Sequence, residues 1–274
     1  MRHLDFLLYA LVFGVVVWAL FGLGEKHGDA PEPLPDHFEQ DGPMLPNPSV
    51  FDEQVLVMVE EPQNGLGTAF AINRDGDWLT ARHVVDGCQR VSLLVAPGRY
   101  VPVERVQVSE GADLALLSTG RSPHSAALDL ESPLHVGQAG YHIGYPGGRP
   151  GEVATRLLAR SNLLSRGIRR SEEPVLAWAE VGRTRGLTGA LNGLSGGPVF
   201  DSEGRVRGVV VAESPRRGRI YTAAPSSISS FLAEVGLELD PGAEARPIKL
   251  EDYGAQADHA RNSLQVVKVA CEVS

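Results

Sequence analysis

The sequence predicts an all-β protein, on the evidence of its turn residues and of its short, regularly spaced β-rich segments. Its 274 residues include 31 Gly and 19 Pro, and turn signals this frequent favour strands over a helical bundle. Segments rich in β-branched and aromatic residues recur between the turns, with a spacing typical of a barrel or sandwich. They are residues 54–60, 67–72, 91–95, 100–108, 114–118, 152–158, 174–181, 205–212 and 219–223.

Outside these segments the sequence predicts one helix and a C-terminal tail. Pro225 and two serines precede the apolar stretch 228–236, which ends on a glycine, and this combination is typical of a short helix. Residues 241–274 are expected to form a tail of mixed character, in which 264–270 is a candidate for one more strand. The main folded domain is expected to cover residues 51–240.

The composition excludes several classes of protein. Lysine and arginine total 25 against 34 aspartate and glutamate, so a net charge of −9 argues against nucleic acid as a partner. Apolar residues make up 43% and charged residues 22%, a balance that excludes a fully disordered chain. Two cysteines are too few for a disulfide-built scaffold or a thiolate zinc cluster. No metal or organic cofactor is expected, and the sequence carries no signal of an oligomeric state.

The N-terminal region predicts a membrane anchor within residues 1–24, followed by a tether. Phe6–Gly24 is nineteen residues without a charge, about the length that crosses a bilayer as a helix. A cleaved signal peptide is the alternative, but its apolar core is usually shorter, about 7–15 residues. Residues 25–50 carry six prolines, six acidic residues and one lysine, so they predict an extended tether. Arg2 precedes the apolar run, and the positive-inside rule then leaves the N-terminus in the cytoplasm and the domain periplasmic or extracytoplasmic.

The strongest chemical signal is the segment Gly193–Val199, with the sequence GLSGGPV. Glycines on both sides of Ser195 allow a sharp turn that presents its hydroxyl to solvent. They also allow the backbone N–H groups of Gly193 and Ser195 to point together at a developing oxyanion. Ser195 is therefore a candidate nucleophile, although a serine in a glycine-rich turn is by itself usually only a turn.

A serine nucleophile needs a base, and the base needs an orienting carboxylate. His83 is the candidate base, because an apolar strand ends there in a short turn suited to holding an imidazole at a cleft edge. Asp113 is the candidate carboxylate, because it is a lone acid heading an apolar strand. Alone, His83 would more often be structural and Asp113 a turn cap, but with Ser195 they indicate a triad in the order His, Asp, Ser. His142, by contrast, is expected to be a packed residue.

These segments resemble the trypsin- and chymotrypsin-like serine proteases, and most closely their bacterial HtrA-type branch. The histidine motif is TARHVV at residues 80–85, the aspartate motif is ADLA at 112–115, and the serine motif is SGGPV at 195–199. The resemblance covers roughly residues 54–236 and implies two six-stranded antiparallel β-barrels with the triad in the seam between them. It implies a serine endopeptidase acting on polypeptides, with His83 and Asp113 in the first barrel and Ser195 in the second.

The sequence also departs from the family pattern. Arg82 stands where a small or amide residue is usual, the loop before Ser195 is one residue shorter, and no room remains for a PDZ domain. Leu194 replaces the aspartate with which zymogen-type relatives pair a newly cut amino terminus, so we expect activity without N-terminal trimming. A catalytically silent peptide-binding scaffold on the same fold remains the alternative. The serine segment also fits the nucleophile pattern of α/β-hydrolase esterases, but the order of the residues does not.

The two cysteines and the substrate pocket give two finer expectations. Cys88 and Cys271 are the only pair available for a disulfide, and two separate buried thiols are the alternative. The resemblance places the base of the pocket for the substrate residue before the scissile bond (P1) six residues before the nucleophile. The residues expected to form this pocket are Gly189 at its base and Val210, Val211 and Ala212 along one wall. Because residues 187–192 contain no carboxylate, a small or medium apolar P1 residue is expected, unless Glu213 turns inward.

Overall fold

The computed structural model describes residues 42–59, 61–168 and 170–273 of the chain. Within these residues, fourteen strands form two sheets of seven strands each. All but one of the strand pairings are antiparallel, and many of them join strands that are consecutive in the chain, as expected for a chain rich in glycine and proline. The mostly β, two-sheet architecture predicted from the sequence is confirmed.

The first sheet contains the strands that flank His83 and Asp113. Its members are β2 (Gly65–Ala71), β3 (Asp77–Thr80), β4 (Arg90–Ala96), β5 (Arg99–Pro102), β6 (Arg105–Val108), β7 (Ala115–Ser118) and β14 (Val266–Glu272). Their order across the sheet is β5-β4-β14-β2-β3-β7-β6. The segment expected as one strand at 100–108 is two strands, because its first part pairs with β4 and its second part pairs with β7 at the other edge of the sheet.

The second sheet contains the strands on either side of Ser195. Its members are β1 (Glu53–Val59), β8 (Ala139–Gly144), β9 (Gly151–Gly167), β10 (Ser171–Arg183), β11 (Pro198–Phe200), β12 (Val206–Ser214) and β13 (Arg219–Ala223). A pairing of β8 with β9 closes six of them into a ring, and β1 lies outside the ring, parallel to β9. This ring matches the expected six-stranded barrel, whereas the first sheet has seven strands because the tail supplies β14.

Three helices accompany the sheets within the described residues: α1 (Arg82–Val85), α2 (Pro225–Glu234) and α3 (Tyr253–Asn262). Helix α2 lies where the sequence predicts a helix, whereas α3 was not predicted. The buried face of α3 is made largely of Tyr253, Gly254, Ala257 and Ala260. Apart from Tyr253, these residues are glycine and alanine, which give little apolar periodicity. The sequence pattern therefore did not indicate a helix.

The tail segment 241–274 is an integral part of the first sheet. Strand β14 pairs antiparallel with β2 on one edge and with β4 on the other, close to the candidate strand at 264–270. Its Cys271 is joined to Cys88 by a disulfide, with 5.5 Å between the two Cα atoms. A strand with neighbours on both edges satisfies its backbone polar groups, so the tail completes the core of this sheet.

The core of each sheet contains a buried tryptophan whose indole N–H is satisfied. Trp78 Nε1 donates to Thr119 Oγ1 at 3.0 Å in the first sheet, and Trp178 Nε1 donates to Thr222 Oγ1 at 2.9 Å in the second. Both rings are almost fully buried, and a large side chain with its polar atom paired contributes apolar burial without a desolvation penalty.

The predicted membrane anchor at 6–24 and the first part of the tether, 25–41, lie outside the described residues. Residues 42–50 were expected to belong to the extended tether, but Leu45 is buried in a core cluster with Trp178 and its N–H donates to the Leu134 carbonyl at 2.6 Å. The prediction was wrong here because an apolar side chain within the proline-rich segment packs against the second sheet. Among the residues that are described, no helix has the length and apolar character needed to cross a bilayer.

Candidate active site

His83 lies in the single helical turn α1, which directly follows β3. Val84 and Val85 of this turn are buried, and they anchor it against the core. Arg82, the unexpected residue of the motif, bonds Asp86 at 3.0 Å and donates from Nη1 to the Ser109 carbonyl at 2.8 Å. The arginine therefore ties the histidine turn to the segment that leads to Asp113.

Asp113 contacts His83 through both of its carboxylate oxygens. Oδ1 accepts the backbone N–H of His83 at 2.9 Å, and Oδ2 lies 2.5 Å from His83 Nδ1. Because an ionised carboxylate only accepts hydrogen bonds, Nδ1 is the protonated nitrogen and donates to it. Nε2 is thereby left as the basic nitrogen, which is the tautomer that a general base requires.

The surroundings of His83 change the pKa of its imidazole in opposing ways. Partial burial lowers this pKa, but the negative charge of Asp113, its hydrogen bond and the charge of Glu173 all raise it. The net result is a pKa above the usual 6.5. A base with a raised pKa accepts a proton more readily, which favours proton transfer from a serine hydroxyl.

The Ser195 loop depends on two glycines with left-handed backbone conformations. Gly193 has φ of +97° and Gly196 has φ of +81°. A Cβ at Gly193 would strike the Tyr145 carbonyl, and one at Gly196 would strike Thr80 and Thr68. The GLSGG sequence is therefore required both by the backbone angles and by the close approach of neighbouring chain.

The loop leaves two backbone N–H groups available near Ser195. The Asn192 carbonyl accepts the Gly147 N–H at 2.6 Å, and in a trans peptide the Gly193 N–H points the opposite way. Within the described residues, neither Gly193 nor Ser195 donates a backbone hydrogen bond. Both N–H groups are thus free to bind an oxyanion, although the loop is one residue shorter than in the HtrA-type pattern.

Thr68, on β2 of the first sheet, holds the serine loop from the opposite sheet. Its N–H donates to the Ser195 carbonyl at 2.9 Å, and its Oγ1 donates to the Gly193 carbonyl at 2.7 Å. The side chain is fully buried, so these bonds are shielded from water. The contact fixes the position of Ser195 relative to the sheet that carries His83.

Leu194 anchors the same loop by apolar packing. Its side chain is 1% exposed and belongs to a buried cluster with Val153, Leu191, Val210 and Ile220. Burying a leucine in this way stabilises a fold by about 1.5–3 kcal/mol. The loop is therefore held without the ion pair that an aspartate at this position would make with a cut amino terminus.

The candidate residues line a single cleft of about 540 Å³ between the two sheets. His83, Asp113, Gly193 and Ser195 all contribute to its surface, together with residues 57–59 and 61–66 on one wall. No hydrogen bond joins Ser195 Oγ to His83 among the described residues, as is common in proteases without bound substrate. The geometry suits acyl transfer, with nucleophile, base and oxyanion donors facing one space.

Comparison with known proteins assigns the family. A family model described as a trypsin-like peptidase domain matches residues 67–209, just over half of the chain. The chain belongs to the trypsin-like peptidase family. The matched range contains His83, Asp113 and Ser195, so the resemblance found in their motifs is confirmed, and the chain carries a serine endopeptidase domain.

Individual relatives of this trypsin-like peptidase agree with the HtrA-type resemblance. A probable periplasmic serine endoprotease, DegP-like, of Halomonas elongata is 30% identical over 152 residues, covering 54% of this chain and 30% of its own length. An uncharacterized protein of Sinorhizobium fredii is 28% identical, covering 88% of this chain and 40% of its own length. The chain thus spans less than half the length of these relatives.

A solved structure shows the same fold. The active form of the Rv3671c protease of M. tuberculosis superimposes with a TM-score of 0.53 at 22% identity, covering 67% of this chain and 76% of that one. At this level of identity the likeness establishes the architecture alone.

The residues expected to form the P1 pocket of this trypsin-like peptidase lie in different environments. Val211 lines the cleft, whereas Val210 packs on the opposite face of β12 in the buried cluster with Leu194. The pairing of β12 with β13 shifts register between Val210 and Ala212, and of the two valines only Val211 lines the cleft. Ala212 is half-buried, and Gly189 is exposed with φ of +75°, outside the residues that line the cleft.

The side chain of Glu213, the acid that was considered for the pocket, is hydrogen-bonded to the backbone of a neighbouring loop. Its two carboxylate oxygens accept the Leu191 N–H at 2.8 and 3.0 Å. Burial and the neighbouring Glu180 raise the pKa of Glu213, while the Leu191 N–H and Arg183 counteract this rise. Arg217 and Arg219, which follow Glu213 by four and six residues, pair with Glu53.

Besides Thr68, sequence reasoning missed a buried acid that contacts the candidate triad. Glu173, on β10, is 1% exposed, and both of its carboxylate oxygens accept the backbone N–H of Asp113 at 3.0 Å. It lies just before the predicted strand at 174–181. The only signal that could have found it is the acidic side chain at the start of an otherwise apolar, β-rich segment.

His142 is a packed residue and not part of the site. The ring is fully buried, its Nε2 lies 3.0 Å from Thr155 Oγ1, and its edge packs against Trp178. Burial lowers the pKa of His142 to about 3, so it is neutral at physiological pH.

Proposed function

We propose that the chain is a serine endopeptidase in which Ser195 is the nucleophile, His83 the general base and Asp113 the residue that orients the base. The observation that carries this proposal is the Asp113 carboxylate bonded to both the backbone and the ring of His83, in the cleft that also holds Ser195. Ser195 Oγ attacks the scissile carbonyl while its proton passes to His83 Nε2. The Gly193 and Ser195 N–H groups bind the oxyanion of the tetrahedral intermediate.

The reaction then proceeds through a covalent intermediate. The protonated His83 delivers its proton to the leaving amine, and the acyl group stays on Ser195 as an ester. Water, activated by the same imidazole, attacks this ester and releases the second product. Asp113 stabilises the imidazolium in both halves of the reaction, because its Oδ2 remains bonded to Nδ1.

A fluorophosphonate probe tests this proposal directly. Wild-type protein is expected to be labelled covalently, and Ser195→Ala is expected to show no labelling. Ser171→Ala is the matched control. Ser171 lines the same cleft but is not one of the three proposed catalytic residues, so its loss should leave labelling unchanged. Absence of labelling in folded wild-type protein would instead support the silent peptide-binding scaffold.

The full chain is proposed to be a single-pass membrane protein with residues 1–24 as anchor, a tether that starts at residue 25, and a protease domain facing the periplasm. This domain comprises the expected range 51–240 together with the tail that supplies β14. The uncharged run at 6–24 supports the anchor, and the Halomonas elongata relative named as periplasmic supports the location. We expect the full chain to stay in the membrane after alkaline carbonate extraction, while a variant starting at residue 42 is released. Release of the full chain by carbonate would contradict the anchor.

The proposed enzyme cleaves after small or medium apolar residues. Val211 presents an apolar side chain to the cleft, and Glu213, the acid nearest to it in the sequence, is bonded to the Leu191 N–H. A lysine or arginine at P1 would be desolvated without a partner, at a cost of several kcal/mol. An apolar side chain would gain roughly 25 cal/mol for each Å² that it buries.

Cleavage-site profiling on a proteome-derived peptide library measures this preference. We expect Ala, Val and Leu to dominate at P1, and Val211→Ala to shift the profile toward larger apolar residues by widening the cleft. Glu213→Gln serves as the control, because it removes the charge while an amide oxygen still accepts the Leu191 N–H. A wild-type profile dominated by Lys or Arg would show that the pocket is elsewhere.

A further inference from the structure

A buried carboxylate, that of Glu173, connects the two sheets behind the His83–Asp113 pair. Glu173 lies on β10 of the second sheet, whereas Asp113 lies between β6 and β7 of the first sheet. The bond from the Asp113 N–H to the Glu173 carboxylate therefore crosses the seam between the sheets. A hydrogen bond to a charged group is stronger than one between neutral groups, and water does not compete for it at a buried site.

The polar groups of Asp113 are engaged from several directions. Its two carboxylate oxygens bind His83, and its carbonyl accepts the Arg82 N–H at 3.2 Å. These three contacts come from the histidine turn, which belongs to the same sheet as Asp113. Of the contacts described, the hydrogen bond from the Asp113 N–H to Glu173 fixes the position of Asp113 relative to the sheet that carries Ser195.

We propose that Glu173 is a positioning residue for the reaction: its buried carboxylate holds Asp113, and through it His83, in register with Ser195 across the seam. This inference rests on the proposed function. Thr68 provides the complementary connection, because it lies on the first sheet and binds the backbone of Ser195. Each half of the triad is thus held by a residue of the opposite sheet.

Glu173 also acts on the dyad through its charge. Its carboxylate adds to that of Asp113 in raising the pKa of His83. The other charged groups around the imidazole are Arg82 and Asp86 on its own turn and Glu61 on the cleft wall. These three are unchanged when Glu173 alone is replaced, so a change in the pKa of His83 can be assigned to Glu173.

Two variants separate the positional role from the electrostatic role. Glu173→Gln keeps an oxygen that accepts the Asp113 N–H but removes the charge, so the acid limb of kcat/KM and the pKa of His83 should both move to lower pH. Glu173→Ala removes the anchor, and we expect kcat to fall by about 100-fold with little change in KM, as for a misplaced catalytic group. Glu172→Gln is the matched control, because Glu172 is exposed on the opposite face of β10.

The measurements are pH profiles of kcat and KM, NMR titration of the His83 ring, and thermal unfolding to show that each variant is folded. A folded Glu173→Ala protein with the kcat of the wild type would overturn the positioning role. A Glu173→Gln protein with the acid limb and the His83 titration of the wild type, or a Glu172→Gln protein with equal shifts, would overturn the electrostatic role. The NMR titration does not depend on turnover. If the wild type fails to react with fluorophosphonate, the proposed function fails. If the wild type reacts but Glu173→Ala keeps the kcat of the wild type, only the positioning role of Glu173 is refuted.

Discussion

Replacing Asp113 by asparagine is expected to lower kcat by about 10⁴-fold while the protein remains folded. The asparagine would still fill the site and its oxygen would still accept the His83 backbone N–H. Its amide group, however, donates hydrogen bonds where the Oδ2 of Asp113 now accepts one from Nδ1. The ring would therefore carry its proton on Nε2, and no basic nitrogen would face Ser195.

Steady-state kinetics on a cleaved peptide, with the rate of fluorophosphonate labelling as a second readout, measure the loss. Asp86→Asn is the control, because Asp86 also lines the cleft but bonds Arg82 and not the imidazole. It changes the local charge by the same amount, so it should leave kcat within a few-fold of wild type. An Asp113→Asn enzyme that kept more than a tenth of its activity would show that another group orients His83.

The residues of the proposed triad could be singled out in the sequence because each lies in a local motif. Ser195 is flanked by glycines with positive φ, and His83 follows a strand that ends in a tight turn, so a few neighbouring residues determine each geometry. The strands were found for the same reason, since β-rich runs between turns are local patterns. Such features depend on residues within about one turn or one strand of each other.

Features that depend on distant contacts could not be predicted in the same way. Strand β14 pairs with β2, about 200 residues earlier, and the residues of β14 do not indicate which strand it will pair with. Glu173 reaches Asp113 across 60 positions and across the seam, so its role exists only in the folded chain. The run of three valines at 209–211 hid which side chain faces the cleft, because alternation cannot be read where every residue is apolar.

The contacts across the seam explain how two separate sheets can form one precise site. Thr68 binds the Ser195 loop from the first sheet, and Glu173 binds Asp113 from the second. Both side chains are buried, so neither bond exchanges readily with water. Catalytic groups must be placed to a fraction of an ångström, and reciprocal bonds of this kind restrict sliding of one sheet over the other.

Removing the disulfide is expected to lower the free energy of unfolding by about 2–5 kcal/mol. Cys88 and Cys271 are 183 residues apart, and the chain-entropy model assigns about 5 kcal/mol to a loop of that length. The bond also lies where the tail strand meets the histidine turn, since Cys88 follows α1 and Cys271 is in β14. Without it, β14 would be held only by its pairings with β2 and β4, so the end of the sheet next to His83 should open first on heating.

The double variant Cys88→Ser/Cys271→Ser, compared with wild-type protein before and after reduction, measures this effect by urea unfolding. Reduced wild type should match the double variant, because both lack the cross-link while the reduced protein keeps both sulfur atoms. Mass spectrometry of native protein alkylated without reductant should find neither cysteine modified. Two alkylated cysteines, or a double variant as stable as the oxidised wild type, would contradict the bridge. Since the disulfide acts mainly on the unfolded chain, activity at low temperature should change far less than stability.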